Sequence, residues 1–446
     1  MTTTRPHGER AGTPATRARV AVIGAGVSGL TAAYLLQRTC DVTLYEAEPR
    51  LGGHAHTHDV LGAGGASLAV DSGFIVFNER TYPNLVRLFA ELGVQTQPSE
   101  MSMSVRCDGC GLEYAGARGL GGVFAQPTRA ASGAFWRMLI DVKRFHRRAR
   151  RMLDEQPGSS GGGDAGSLAT LREFLADGHF SPYFVQHFMV PVVSCVWSCP
   201  PSTALEYPAH YLFRFLDHHG FLTIGNAPQW RTVSGGSRAY VERAAKELTA
   251  TALATPVRAV DRTLGGVSVR DAAGDVRHFE HAVIATHADE ALALLASPTR
   301  DEREVLGAFQ YSPNRTVLHT DTSLLPRAAR ARSSWNYLVD RCADGTDGRV
   351  QRVKVSYHMN RLQQLDDDRD YLVTLNADEH IPSDAVVATM EYTHPVYTPQ
   401  SVAAQERLQC LDDDRIAFAG AYHGWGFHED GCRSGVGAAR HFGAAW

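Results

Sequence analysis

The chain has 446 residues, enough for two or three domains and a large buried core, so a small binding module is excluded. Its 44 Lys and Arg residues against 48 Asp and Glu residues give a formal net charge of −4. This charge provides no overall positive field to attract nucleic acid, and we expect no nucleic-acid partner.

Residues 1–18 are rich in Thr, Arg, Gly and Pro without apolar periodicity, which predicts a disordered leader. They contain no apolar signal-peptide core, and no apolar run in the sequence reaches the roughly 18 to 20 residues of a membrane-spanning helix. The sequence therefore predicts a cytoplasmic protein. It does not predict an oligomeric state.

The first ordered unit is a strand, a tight turn and a helix, followed by a second strand. The strands are Arg19–Ile23 and Asp41–Tyr45, and residues 27–37 carry apolar side chains at helical spacing. Such a βαβ unit is typical of an α/β protein with a parallel sheet.

The turn of this unit has the pattern of a dinucleotide-binding site. Gly24 permits a tight turn, Gly26 allows backbone to approach a pyrophosphate, and Gly29 allows close packing of helix on strand. The helix N-terminus offers N–H groups to phosphates, and Glu46 ends the next strand, where it can accept hydrogen bonds from a ribose.

The two cysteines Cys107 and Cys110 have the spacing of a metal or dithiol site. No second pair lies at zinc-finger spacing, and eight cysteines are too dilute for a disulfide scaffold. We interpret the pair as incidental thiols in a loop, with a zinc or dithiol role as the alternative. We predict no metal site.

Two later segments bear on the substrate. Residues 134–153 form a basic amphipathic helix, either a solvated surface or a contact with anionic membrane or acyl head groups. A Gly/Ser-rich stretch at 155–167 predicts a flexible loop. Residues 180–201 are apolar and aromatic, which favours core, with the wall of an apolar substrate channel as the alternative.

The second half of the chain is rich in predicted strands. Residues 257–261, 266–270 and 278–284 predict a meander, and 352–358 alternate as in a half-exposed strand. A final strand at 415–419 precedes a glycine-rich segment and the last helix.

Residues 46–57 resemble the FAD signature of the amine oxidase, protoporphyrinogen oxidase and phytoene desaturase superfamily, although His54 replaces the usual arginine. Residues 418–435 resemble its C-terminal motif, in which the last helix points at the flavin. There the usual acidic residue after Gly420 is absent, and Phe427 replaces a tyrosine of the aromatic cage of amine oxidases. The resemblance implies FAD as cofactor.

More narrowly, residues 70–78, 81–84, 232–238 and 424–431 resemble a subgroup of bacterial FAD/NAD-binding proteins. This subgroup is similar to the N-terminal flavoprotein half of plant cyclopropane fatty acid synthases. The resemblance implies a lipid or fatty-acyl substrate, and thus a hydrophobic small molecule and a peripheral contact with membrane lipid.

The turn and the resemblance together imply a set of cofactor contacts. They are Gly24, Gly26, Val27, Ser28, Gly29, Glu46, Ala47, Arg50, Gly52, Gly53, His54, Thr57, Asp71, Gly73, Phe74, Val257, Ala285, Thr286, Gly420, Phe427, His428, Glu429 and Ser434. We expect the isoalloxazine between the 73–74 and 425–430 segments. His54, His56 and His58 alternate along the chain, which we interpret as polar lining near the cofactor in preference to a metal site.

For catalysis the resemblance implies hydride transfer from a substrate carbon to the flavin. The candidates for proton handling are Lys354, Tyr357, His428 and Glu429. Lys354 is weighed because many amine oxidases place a lysine near the flavin.

The predicted fold is α/β. It combines a Rossmann-like FAD-binding domain, with a parallel sheet and a β-meander, and a mixed sheet-and-helix substrate domain. The FAD-binding domain is expected at 19–105, 230–300 and 410–446, and the substrate domain at 106–229 and 301–409.

The predicted function is FAD-dependent oxidation of an activated carbon in a hydrophobic, fatty-acyl or polyene-like molecule. An amine oxidase, a non-redox isomerase or mutase, and a module that only binds FAD are the alternatives.

Overall fold

The computed structural model describes residues 17–155, 169–222, 228–342 and 352–446. The predicted leader lies outside the described residues except for positions 17 and 18. The predicted Gly/Ser-rich loop lies outside them except for Glu155, which ends a helix.

The strands run through the whole described chain. They are β1 (Arg19–Ile23), β2 (Asp41–Tyr45), β3 (Thr57–Leu61), β4 (Ser67–Asp71), β5 (Phe77–Asn78), β6 (Thr96–Pro98), β7 (Met103–Cys107), β8 (Glu113–Ala115), β9 (Trp230–Val233), β10 (Ala250–Ala252), β11 (Val257–Thr263), β12 (Gly266–Asp271), β13 (Val276–Phe279), β14 (His281–Ile284), β15 (Gln310–His319), β16 (Trp335–Val339), β17 (Val355–His358), β18 (Leu372–Leu375), β19 (Val386–Val396) and β20 (Ile416–Phe418).

The helices gather mainly between β8 and β9 and at the end of the chain. They are α1 (Val27–Leu36), α2 (Pro83–Glu91), α3 (Gly119–Val123), α4 (Gly133–Glu155), α5 (Leu171–Asp177), α6 (Pro182–Phe184), α7 (Val190–Trp197), α8 (Pro201–Ala204), α9 (Ala209–His218), α10 (Arg238–Lys246), α11 (Ala288–Leu294), α12 (Arg300–Leu306), α13 (Met359–Leu362), α14 (Pro399–Gln405) and α15 (His428–His441). A π-helical turn, Val185–Met189, joins α6 to α7.

A five-stranded parallel sheet positions the site. Its order is β10-β2-β1-β14-β20, and every neighbouring pair is parallel. Its central strands are buried on both faces, as their β-branched apolar sequences predict. Because all strands point the same way, the turns after β1, β2, β14 and β20 meet at one edge.

The predicted meander is present as the antiparallel sheet β11-β12-β13. The expected third strand at 278–284 is wrong as a single element. The chain breaks at Glu280, so that β13 closes the meander and β14 enters the parallel sheet.

A seven-stranded mixed sheet has the order β19-β15-β18-β17-β16-β7-β8. The half-exposed strand predicted at 352–358 begins only at Val355, as β17, and lies inside this sheet. Ser356 and His358 are buried there, beside their hydrogen-bond partners Thr374 and Asp370. The boundary placed at 105 falls within β7, which pairs with β16.

The aromatic segment 180–201 forms α6, the π-helical turn and α7. Its side chains Phe184, Met189 and Trp197 are buried in an apolar cluster with α4 and α9. The preferred interpretation of this segment as core is therefore confirmed. Among the described residues, none of the helices combines the length and apolar character needed to cross a bilayer.

Candidate functional site

The glycine turn after β1 lies at the edge where the parallel strands end. Gly24 has a φ of +97°, and a Cβ there would lie 2.7 Å from the Ala285 carbonyl oxygen. A Cβ on Gly29 would lie 1.8 Å from the Gly24 carbonyl oxygen, so helix and turn pack without space between them. A Cβ on Gly26 meets no atom within 4 Å. The turn is therefore closed at both ends and open at Gly26.

The N-terminus of α1 faces this opening. Gly26 is its N-cap, and no side chain caps the first N–H groups, which belong to Val27 and Ser28. Free N–H groups and the positive end of the helix dipole form a site for an anion. Thr286, after β14, lies beside the turn, its methyl 3.3 Å from the position of a Cβ on Gly24.

Glu46 borders the turn from the end of β2. Its Oε2 accepts the Ala25 N–H at 2.8 Å, and its Oε1 accepts the Glu48 N–H at 2.9 Å. Each carboxylate oxygen keeps a lone pair for another donor. Ala47 is exposed at this edge, and Val257 lies nearby in the apolar cluster that contains Tyr45.

A second glycine pair packs on the first turn. The Gly52 N–H donates to the Ala25 carbonyl at 2.8 Å, and a Cβ on Gly53 would lie 3.1 Å from the Gly26 Cα. The Arg50 guanidinium donates to the Gly53 carbonyl at 2.8 Å. A permanent positive charge therefore lies beside the open turn.

The last helix approaches the same place. A Cβ on Gly431 would lie 2.7 Å from the Val27 side chain, so α15 packs closely on the start of α1. The Ser434 hydroxyl accepts the Gly420 N–H at 2.9 Å, which ties the end of β20 to α15. The N-termini of two helices therefore converge at one point.

At the start of α15 the His428 ring stacks on Phe74, with ring centroids 3.8 Å apart and planes 12° apart. Its Nε2 lies 3.2 Å from the Tyr240 hydroxyl, and burial lowers the pKa of His428 to about 3. Phe74 and His428 are therefore in direct contact. The placement of the isoalloxazine between the 73–74 and 425–430 segments stays a prediction.

Two histidines and a tyrosine surround His54. Its ring lies 5.5 Å from that of His394, 6.3 Å from that of His287 and 5.0 Å from that of Tyr392. Burial, with neighbouring positive charge, lowers the pKa of His54 well below its usual value. A Cβ on Gly73 would lie 2.1 Å from the His54 carbonyl oxygen. His54 is therefore a neutral imidazole beside the 73–74 segment.

His56 and His58 lie together, with ring centroids 4.1 Å apart. The His56 Nδ1 lies 3.0 Å from the Tyr392 hydroxyl, and the His58 Nε2 lies 2.8 Å from the Ser72 hydroxyl. Both rings thus bind protein hydroxyls, and their role as polar lining near the cofactor stays a prediction.

Thr57 and Asp71 are engaged with protein groups. The Asp71 carboxylate accepts hydrogen bonds from the Thr57 hydroxyl, the Ser237 N–H and hydroxyl, and the Gln363 amide. Burial raises the pKa of Asp71 to about 6. The pair therefore links β3 and β4 to α10, and its contribution to a cofactor site is to hold these elements together.

Three of the four predicted proton-handling residues are likewise engaged. Glu429 accepts the Asn84 N–H and side-chain amide and the Leu85 N–H, and so caps α2. The Lys354 ammonium lies 2.9 Å from the Asp340 carboxylate. The Tyr357 hydroxyl donates to a carbonyl of α7 at 3.4 Å. His428, whose Nε2 lies beside the Tyr240 hydroxyl, is a neutral ring at the start of α15.

Aromatic side chains from separate elements meet in front of α15, and we call them the aromatic wall. They are Trp197, Tyr211, Phe215, Tyr397, Trp425 and Phe427. Phe215 and Phe427 stack at 4.9 Å, and Trp197 lies 4.7 Å from Phe215. The sequence indicated Phe427 and the apolar 180–201 segment. Tyr211 and Phe215 of α9 belong to no sequence motif, so the sequence did not predict them as part of the site.

Hydrogen bonds hold the glycine-rich loop against this wall. The Trp197 indole donates to the Trp425 carbonyl at 3.0 Å, and the Tyr211 hydroxyl donates to the Gly424 carbonyl at 2.8 Å. The Asp430 carboxylate accepts the N–H groups of Trp425 and Phe427. Both acidic side chains of the α15 start, Glu429 and Asp430, thus bind backbone donors.

The groups around the open turn can be compared with those that a dinucleotide needs. Gly26 leaves an empty approach to an uncapped helix N-terminus, with Arg50 beside it and Glu46 at its edge. These groups suit a pyrophosphate followed by a ribose. The residues present therefore fit a dinucleotide cofactor such as FAD.

Comparison with known proteins agrees with this geometry. Residues 27–324 match the family described as flavin-containing amine oxidoreductase. A 42-residue stretch is 60% identical to tryptophan 2-monooxygenase of Allorhizobium ampelinum, covering 9% of this chain and 6% of that protein. The chain thus spans only a small part of the length of this curated relative.

Solved structures share the fold over nearly the whole chain. A redesigned putrescine oxidase superposes with a TM-score of 0.66 at 15% identity, covering 96% of this chain and 99% of that one. A fatty acid isomerase from P. acnes superposes with a TM-score of 0.66 at 17% identity, covering 95% and 99%. The mixed α/β fold, with its parallel and mixed sheets, is that of FAD-dependent enzymes of the amine oxidase type.

Proposed function

Because this chain belongs to the family of flavin-containing amine oxidoreductases and is an FAD-dependent oxidoreductase, we propose that it oxidises an activated carbon of an apolar small molecule. The substrate class is fatty-acyl or polyene-like. When bound, FAD accepts the hydride from that carbon. The protein's own groups hold the cofactor, orient the substrate and exclude water.

This proposal rests on the aromatic wall and on the hydrogen bonds that the neighbouring carboxylates already accept. Tyr211, Trp425 and Phe427 are half-buried, and their accessible ring surface, backed by the buried Trp197, Phe215 and Tyr397, suits a neutral apolar substrate. Glu429 and Asp430 are the acidic residues at the start of α15, and both are bound by backbone donors. Both side chains are also buried, and Asp430 pairs with Arg433, so both are engaged inside the protein, which favours a neutral substrate over an ammonium.

The cofactor residues divide by the part of FAD they would hold. The N–H groups at the start of α1 bind the pyrophosphate, with the Arg50 charge beside them. Glu46 accepts hydrogen bonds from the ribose. His428 and Phe74 form a platform beside the flavin ring, and the neutral imidazole of His428 is the group we propose for proton handling.

We place these cofactor contacts in a Rossmann-like unit comprising 19–105, 230–300 and 410–446. The remaining ranges, 106–229 and 301–409, form the substrate unit. The resemblance of the 70–78 and 424–431 segments to the cyclopropane-synthase-associated flavoproteins supports the lipid-like substrate class.

The exposed face of α4 supports a peripheral contact with anionic lipid, which would deliver such a substrate. Trp136 and Ile140 are 47% and 55% exposed, and Leu120 on α3 is 79% exposed. Lys143 and Arg147 continue the same face of α4 and are exposed. Apolar side chains beside cations suit an anionic membrane surface.

Anaerobic mixing of the FAD-loaded enzyme with candidate substrates tests the reaction. We expect unsaturated fatty-acyl or polyene compounds to bleach the flavin absorbance. Bleaching by primary amines alone would overturn the proposal in favour of an amine oxidase. Product formation from an unsaturated acyl compound without bleaching or turnover of an electron acceptor would establish an isomerase instead.

A single variant helps to distinguish the proposed activity from that of an amine oxidase. Phe427→Tyr restores the hydroxyl that amine oxidases carry at this place, while keeping the ring. We expect no gain of reactivity toward amines, because the neighbouring carboxylates of Glu429 and Asp430 are buried and bound by backbone donors. A large gain would mean that this hydroxyl was the missing part of an amine site.

A further inference from the structure

Three cysteines and one histidine from distant parts of the chain meet at one point, away from the glycine turn. They are Cys107, Cys110, His187 and Cys342, and their ligand atoms all lie within 4.8 Å of one another. The interpretation of Cys107 and Cys110 as incidental thiols in a loop therefore fails, because the fold supplies two partners.

The distances match the edges of a coordination tetrahedron. The Cys107 and Cys342 sulfurs are 3.6 Å apart, and the His187 Nε2 lies 3.6 Å from the Cys110 sulfur and 3.8 Å from the Cys342 sulfur. Around a tetrahedral zinc ion, bond lengths of about 2.3 Å to sulfur and about 2.0 Å to nitrogen separate two sulfurs by about 3.8 Å and sulfur from nitrogen by about 3.6 Å.

The backbone brings Cys107 and Cys342 close together. Cys107 ends β7 opposite Val339, the last residue of β16, so the two strands deliver Cys107 and Cys342 to the same edge. Between the cysteines, Gly109 packs on the chain after β16, since a Cβ there would lie 2.5 Å from the Cys342 nitrogen. Only glycine lets the two segments approach this closely.

The histidine is oriented as a ligand. His187 is fully buried, and its Nδ1 lies 3.0 Å from the Tyr183 carbonyl oxygen. An Nδ1–H donated to that carbonyl leaves the lone pair on Nε2, which faces the sulfurs. The Tyr114 hydroxyl donates to the His187 carbonyl at 2.8 Å and fixes the π-helical turn against β8.

We propose that these four residues bind one structural Zn²⁺ ion. Three thiolates and one imidazole form a closed set of four protein ligands, which is typical of structural zinc and leaves no position for substrate. Binding releases the protons of the three thiols and involves no change of oxidation state. The ion joins β7, β16 and the helical segment before α7, and thus braces the segment that continues into α7, which carries Trp197 of the aromatic wall.

A redox-active dithiol is the competing explanation. The sulfurs of a reduced dithiol also stand apart, so the discriminating feature is the histidine nitrogen 3.8 Å from the Cys342 sulfur, a fourth ligand that a dithiol does not need. The tetrahedral arrangement favours metal over a disulfide.

Metal analysis of the full-length protein, purified with reductant and without chelator, tests the proposal. We expect one equivalent of zinc per chain, lost in Cys110→Ser and Cys342→Ser and retained in Cys410→Ser, which alters an exposed cysteine elsewhere. His187→Cys should retain zinc as a four-cysteine site, whereas His187→Ala should lose affinity. The FAD absorbance is read on the same samples, so failure of the cofactor site is distinguished from failure of the zinc site.

Cobalt provides a readout that does not depend on stability. Co²⁺ added to chelator-treated protein should give a thiolate charge-transfer band and the intense visible bands of tetrahedral cobalt, with a changed spectrum in His187→Cys. Wild-type protein without zinc and without these bands overturns the proposal. A Cys107–Cys342 disulfide found by mass spectrometry in protein purified without reductant also overturns it.

Discussion

Replacing Gly26 by alanine separates cofactor binding from folding. Gly26 has a φ of −68° and a ψ of −179°, which alanine adopts without strain. Its Cβ would meet no protein atom within 4 Å. We therefore expect the free energy of unfolding of the FAD-free protein to change by less than about 1 kcal/mol.

The same methyl group occupies the approach to the helix N-terminus. If it displaces the pyrophosphate from two N–H groups, the loss is about 1.5 to 3 kcal/mol for each charge-assisted hydrogen bond. Because each 1.4 kcal/mol is a factor of ten, the dissociation constant for FAD should rise by at least about 100-fold. Gly26→Val should abolish flavin retention during purification.

Flavin fluorescence titration of the FAD-free protein measures the dissociation constant, and urea unfolding measures stability. Gly29→Ala is the matched control, because its Cβ would lie 1.8 Å from the Gly24 carbonyl oxygen. That variant should lose about 2 kcal/mol of stability through overpacking. An unchanged dissociation constant in Gly26→Ala would refute the placement of the pyrophosphate at this turn.

Four further outcomes are expected. Lys354→Met should leave turnover and the flavin spectrum unchanged, since its ammonium pairs with Asp340, and a lost turnover in rapid-mixing assays would contradict this. Glu429→Gln should lower the free energy of unfolding by about 1 to 3 kcal/mol in urea titrations, because one of the donors around α2 loses its acceptor, while the pH profile of turnover stays the same. Burial lowers the pKa of His219 to about 4, so only the unfolded chain gains a proton at this side chain as the pH falls from 7 to 5.5. This protonation should lower the free energy of unfolding by about 1 kcal/mol over that range. Urea titrations of His219→Gln should show a smaller drop. Ile140→Glu should reduce sedimentation with anionic phospholipid vesicles and leave neutral vesicles unaffected, and equal binding by the variant would show that this face of α4 does not contact lipid.

Local patterns predicted the start of the fold well. β1 and β2 have the bounds that their apolar runs indicate, and α1 ends one residue before its predicted end, because glycines and strand residues determine these elements locally. The strand expected at 278–284 was wrong because its division between two sheets depends on packing against β1 and β20.

The parts of the site that depend on contacts between distant residues could not be predicted from local sequence patterns. Cys107 and Cys342 are separated by 235 positions, and no spacing rule relates them. Glu429 had the right type for a base, but its position beside the α2 N-terminus, 345 residues away in sequence, gives it another partner. Which donors a buried carboxylate meets is decided by the assembled fold.

The packing of α15 on α1 has a consequence for biosynthesis. The Thr31 hydroxyl lies 3.5 Å from the Cys432 sulfur across 401 positions of sequence. Closing so long a loop is entropically costly and slow compared with forming β1, α1 and β2. The glycine turn is therefore synthesised well before α15, which contributes the second helix N-terminus at this place. Stable loading of the cofactor is therefore expected only after synthesis of α15, and ribosome-stalled chains lacking it should remain colourless.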